Sequence, residues 1–169
     1  MIEFMLLSAP RSASTWSSNW LTTDTTICLH DPLMKWTRDE LDMIESPKRL
    51  GIACTGLALF PDWVNSHPAR KVILHRDLSE VDASLERIGM TGCSKQWEGV
   101  LDRIDGVHLP WDVIFDPLRA QYVYEYLLNL PFDAERWAVL CEINAQPNFD
   151  TISVNKAATA RLMAELRLH

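Results

Sequence analysis

Glycine is scarce in this chain: there are six in 169 residues and none in the first fifty. A Walker A loop needs GxxxxGK[ST], so the N-terminal third cannot hold one and an ordinary ATPase or GTPase is disfavoured. Basic residues are also in short supply. Sixteen Lys and Arg face 23 Asp and Glu, for a net charge of −7 and a pI near 5.1. Broad attraction to nucleic acid or an anionic membrane needs clustered cations, so neither is expected as a partner, and any anion must be bound in a local pocket. Long apolar runs are missing as well. The N-terminal run, Phe4 to Leu7, stands behind the acidic Glu3, without the basic and apolar regions of a signal peptide, and reads as a buried strand. No later stretch approaches the roughly 18 residues that a membrane span requires. Cys28, Cys54, Cys93 and Cys141 form no CxxC pair, which points to reduced thiols and a cytoplasmic location. No Pro/Gly/Ser-rich linker or repeat divides the chain, so one domain over residues 1–169 is expected.

What is present is an alternation of short apolar runs and amphipathic stretches, the pattern of an α/β fold with a mainly parallel sheet between helices. Strands are expected at Glu3–Ser8, Ile27–His30, Leu50–Cys54, Lys71–His75 and Asp112–Phe115. A helix should follow the first strand and end near Leu21. Thr37 and Glu40 have capping-box spacing for a helix over Arg38–Ile44. Ser79 with Asp82 offers a start for another helix running to Ile88, and one more is expected from Lys95 to Ile104. Asp116 as N-cap and Pro117 at the first helical position open a helix through Leu128. Asp133 caps the next, and the Ala-, Leu- and Arg-rich tail forms a terminal helix over about 155–168. Open parallel sheets bind ligands beyond the carboxyl ends of their strands. That rule gathers Ser8–Thr15, His30–Pro32, Cys54–Gly56 and Arg76 on one rim.

The segment LLSAPRSASTW sets one fixed cation, Arg11, among the hydroxyls of Ser8, Ser12, Ser14 and Thr15, between a strand and a helix start. Exposed N–H groups and the positive helix end favour an anion there, although Ser and Thr also serve simply as caps. The run Pro10-Arg11-Ser12-Ala13-Ser14-Thr15-Trp16 resembles the 5′-phosphosulfate loop of the sulfotransferase family, written PRSGTTW or PKSGTTW, with Ala13 in place of the glycine. A second element supports the resemblance. The strand KVILH leads into Arg76, and Ser84 follows eight residues later, the spacing with which the family binds the 3′-phosphate of its nucleotide. Guanidinium matches phosphate bidentately, and a Ser on the following helix can donate from its inward face. Leu78 replaces the family's Pro after Arg-Asp. The region Thr55–Arg76, with Pro61, Trp63 and Pro68, and the later HLPWDVIFDPLRAQYVYEYLLNLPFD extend the similarity from Ile2 to about Asp133. The family's C-terminal RKGxxG element has no counterpart in the tail from Asp150.

The resemblance implies a three-layer P-loop-like fold and 3′-phosphoadenosine 5′-phosphosulfate (PAPS) as donor co-substrate, without a metal. Arg11, Ser12, Ala13, Ser14, Thr15, Trp16, Arg76 and Ser84 would hold the donor, with Arg11 and Thr15 on its leaving-group side. The acceptor would be a hydroxyl or amine of a small molecule or carbohydrate. It needs a base, and Asp31 occupies the position where related enzymes place a Glu, while the adjacent His30 has the more suitable intrinsic pKa. His108 is a weaker candidate in what reads as an irregular connection, and His67 reads as a surface residue. Trp36 and Trp111 are placed to line an acceptor pocket, whereas Tyr122 and Tyr126 share a helical face and read as packing. Two other functions fit the same architecture: a nucleotide or nucleoside kinase, and a non-catalytic binding or assembly module. The acceptor's identity and the oligomeric state stay open.

Overall fold

The computed structural model describes residues 1–143. Five strands, β1 (Ile2–Ser8), β2 (Thr26–His30), β3 (Arg49–Cys54), β4 (Arg70–His75) and β5 (Val107–Pro110), form one sheet in the order β2-β3-β1-β4-β5. Every pairing is parallel, with Leu6 of β1 opposite Ala53 on one side and Val72 on the other. Between and after the strands lie α1 (Ser14–Trp20), α2 (Arg38–Asp42), α3 (Pro61–Ser66), α4 (Leu78–Glu86), α5 (Ser94–Trp97), α6 (Pro117–Leu128) and α7 (Ala134–Glu142). Among the described residues, no helix is long and apolar enough to cross a membrane.

Both faces of the sheet are covered, which is why its central strands read as continuous apolar runs instead of alternating ones. Phe4, Leu6, Ala53, Val72 and Leu74 pack with Trp16 and Trp20 of α1 and Val123, Tyr124 and Leu127 of α6. Met5, Leu7, Ile52, Cys54 and Ile73 pack on the other side with Leu41, Val64, Val81 and Leu85 of α2, α3 and α4. This division follows from chain order. The step from β1 out to β2 runs opposite to all later steps, and right-handed crossovers then put α1 on one face and α2 to α5 on the other.

Several sequence expectations shift. The last strand is Val107–Pro110 and not Asp112–Phe115, which forms a 3₁₀ turn over Trp111–Phe115. Adjacent Val113 and Ile114 are both buried on the α6 side, an arrangement that the two-residue period of a strand does not give. The helix expected over Lys95–Ile104 stops at Trp97, because Gly99 takes φ +67°, and only a 3₁₀ turn at Leu101–Arg103 follows. The cap of α4 is Asp77, whose Oδ1 accepts from the N–H groups of Ser79 and Glu80, so the helix begins one residue before Ser79. The Thr37–Glu40 capping box and the Asp116 and Asp133 caps form as expected. The terminal helix expected at 155–168 lies outside the described residues.

Candidate functional site

All five strands point the same way, so the loops that follow β1, β2, β3 and β4 meet at one edge. The loop after β1 is held in an unusual shape. Arg11 has φ +61° and Ala13 φ +66°, both in the left-handed region that L-residues seldom enter. Ala13 thus adopts a conformation in which glycine would be at ease.

The two motifs come into contact. Arg11 Nε donates to Ser84 Oγ on α4 at 3.2 Å, across 73 residues of sequence. Arg76 donates from Nη1 to the Arg11 carbonyl oxygen, pinning the loop to the end of β4. The Arg76 guanidinium also lies 4.3 Å above the Trp111 ring and bonds Glu80 at 3.2 Å. Trp111 is therefore a stacking partner for the Arg76 cation. Burial lowers the Arg11 pKa, and the positive charges of Arg76 and Arg87 lower it further. Three guanidinium groups thus share one neighbourhood in a chain of net charge −7. Arg87, one turn beyond Ser84 on the same side of the motif, has no counterpart in the sequence expectations; the i, i+3 spacing from Ser84 is the signal that points to it.

His30 and Asp31 stand at the end of β2, facing the loop. The Asp31 backbone is left-handed, with φ +38°. Its Oδ1 accepts from the Thr55 N–H at 2.8 Å and the Thr55 hydroxyl at 3.2 Å, and its Oδ2 lies 3.1 Å from His30 Nε2. Burial pushes the Asp31 carboxyl upward, yet the His30 hydrogen bond and charge, with the Thr55 N–H and the Cys54 thiol, hold it below the usual carboxylate range. His30 Nε2 also lies 3.2 Å from Ser14 Oγ and 3.1 Å from Thr15 Oγ1. A carboxylate accepts only, so it selects the form of His30 that carries hydrogen on Nε2. The Ser14 and Thr15 hydroxyl hydrogens then point elsewhere, and Nδ1 is the ring's remaining basic nitrogen.

Other expected residues make contacts within the fold. Trp16 is buried against Trp20 and Phe115, both centroids 5.1 Å away, and gives its Nε1–H to the Leu140 carbonyl, docking α1 to α7. Ser12 is fully buried, with its hydroxyl 3.4 Å from the Pro10 carbonyl. Ser8 Oγ is buried beneath the loop without a hydrogen-bond partner. Tyr122 and Tyr126 stack on α6, as packing would have it, though Tyr122 is exposed. His67 is not a free surface residue: its side chain is 12% exposed, stacks on Trp63 and contacts Asp42 Oδ1 at 2.7 Å, tying α3 to α2. His108 belongs to β5 and not to an irregular connection, and it meets His75, not His30. No disulfide forms among the described cysteines, of which Cys28 and Cys54 are buried.

The chain matches no protein-family model, and no curated protein or solved structure matches it either.

Proposed function

We propose that this protein is a P-loop-like sulfotransferase that binds PAPS across Arg11, Arg76 and Ser84 and passes the sulfuryl group to a hydroxyl or amine acceptor. The observation that carries the reading is the Arg11–Ser84 contact, with Arg76 bonded to the Arg11 carbonyl. Two motifs recognised separately in the sequence meet at one rim, and they meet as a cluster of cations. A two-phosphate nucleotide supplies the negative charge that such a cluster favours, and guanidinium groups match its oxygens bidentately.

In this reading the loop residues Ala13, Ser14 and Thr15 bear the 5′-phosphosulfate, with Ser12 buried beneath them, while Arg76 and Ser84 take the 3′-phosphate. Arg11 lies between them and neutralises the departing phosphate oxygens. The acceptor oxygen or nitrogen bonds to sulfur as the sulfur–oxygen bond to the 5′-phosphate breaks. His30 takes the acceptor's proton at Nδ1. Asp31, already engaged by Thr55 and held ionised, orients the imidazole and stabilises its charged form. Positioning and electrostatics supply most of the rate in group transfer of this type.

Isothermal titration with 3′-phosphoadenosine 5′-phosphate tests the donor site. One equivalent should bind, and Arg76→Ala should weaken binding by about tenfold or more, a loss near 1.4 kcal/mol. Absence of binding to the unsubstituted chain, or equal affinity in Arg76→Ala, overturns the reading, as does a thermal shift with Mg-ATP and none with the bisphosphate. Transfer of labelled sulfate to an acceptor panel then separates an enzyme from a binding module.

A further inference from the structure

We propose that His75, His108 and Asp102 form a zinc-binding site on the β4–β5 edge of the sheet, made of residues outside the arginine cluster. Their ligand atoms all lie within 4.8 Å of one another. In the register of the parallel pair, Ile73 is opposite His108 and His75 opposite Pro110, so the two imidazoles project from the same face two residues apart. They meet with His75 Nε2 2.8 Å from His108 Nδ1.

The orientation of His108 is already the one a metal needs. Its Nε2 lies 2.8 Å from the Ile104 carbonyl oxygen, which can only accept, so Nε2 carries the hydrogen and Nδ1 presents a lone pair to His75. An imidazole N–H given to a backbone carbonyl is the arrangement that fixes the tautomer of zinc-bound histidines. Asp102 comes from the 3₁₀ turn Leu101–Arg103, and that turn is braced from α3. Asn65 donates to the Arg103 carbonyl at 3.0 Å and accepts from the Asp105 N–H at 2.9 Å.

The chemistry of the set selects the ion. Two imidazoles and a carboxylate suit zinc, with nitrogen and oxygen ligands about 2.0–2.2 Å from the metal. A tetrahedron of that size sets its ligand atoms roughly 3.3 Å apart. The histidine nitrogens need only separate slightly from 2.8 Å, and Asp102, which is exposed, turns in toward them. Zinc takes the place of the hydrogen between the rings, and His75 bonds it through Nε2 as the tautomer protonated on Nδ1. Three protein ligands leave the fourth position to water or to an incoming ligand.

Zinc titration of the full chain, followed by calorimetry and by the visible spectrum of the cobalt-substituted protein, tests the site. One equivalent should bind with a tetrahedral cobalt spectrum lacking thiolate bands. His108→Ala and Asp102→Asn should each weaken it by roughly tenfold or more, and Cys141→Ser, which removes an exposed thiol, should leave it unchanged. His108 and Asp102 are both exposed, so these variants should keep the far-ultraviolet circular dichroism of the parent. No uptake by the parent, equal affinity in folded His108→Ala and Asp102→Asn, or loss of binding in Cys141→Ser overturns the proposal.

Discussion

Ala13 holds φ +66°, ψ +25°, a conformation that disfavours an L-residue by about 1–2 kcal/mol relative to the right-handed one. Replacing it with glycine relieves that strain, offset in part by the greater freedom of glycine in the unfolded chain. Ala13→Gly should therefore raise unfolding stability by about 0.5–1 kcal/mol, read from urea denaturation. Asp31 gives a pH-dependent counterpart. Its folded-state carboxyl lies below its unfolded value, so its contribution is fully present above the unfolded pKa, about 3.9, and is lost as pH falls through the lower folded value. Asp31→Asn should cost about 1–3 kcal/mol at pH 7 through the Thr55 and His30 bonds, and that deficit should shrink in urea melts below pH 4. Of this neighbourhood, the Arg11 loop and the Arg76–Ser84 spacing were legible in sequence because each is local. Thr55 was legible only as part of the Cys54–Gly56 rim segment, while its bonds to Asp31 and the presence of Arg87 were not, since both come from the neighbours that folding gives them.

At the scale of elements, β1 and β3 fit together through one close approach. A Cβ on Gly51 would stand 1.9 Å from a ring carbon of Phe4, so the aromatic ring occupies the space of the absent side chain. Gly51→Ala should destabilise the protein by about 3 kcal/mol, and adding Phe4→Leu should recover part of that loss, a coupling measurable in a double-mutant cycle. The far end of α1 depends on another element. Arg136 of α7 donates to the carbonyl oxygens of Asn19 and Thr22 at 2.8 and 2.7 Å, satisfying groups that the seven-residue helix leaves open. Arg136→Ala should lower stability by about 1 kcal/mol and increase amide exchange in α1 before it does so in the strands. The buried strands β1, β3 and β4 were legible as apolar runs. β5 was not, because its four residues include an exposed His108 and end in Pro110, while the more apolar Val113–Phe115 beside it folds as a turn.

The whole molecule opposes its own composition at one place. A chain of net charge −7 brings Arg11, Arg76 and Arg87 close enough for their charges to be felt at Arg11. Anion binding at that place should stabilise the fold by mass action, about 2.7 kcal/mol at a hundred times the dissociation constant. The bisphosphate should accordingly raise the melting temperature by several degrees, less so at high salt, and the shift should fall by about half or more in Arg76→Ala. The sequence by itself determined the α/β class, four of the five strands, the helix caps at Thr37, Asp116 and Asp133, and the two local patterns at Pro10–Trp16 and Arg76–Ser84. Each of these depends on residues within a few positions of one another. Only the tertiary structure decided that Arg11 meets Ser84, that Asp31 is held by Thr55, and that His75, His108 and Asp102 converge on the β4–β5 edge. Those contacts depend on strand order and register, which place residues from different crossovers at the same rim, and no local pattern in the chain encodes that juxtaposition.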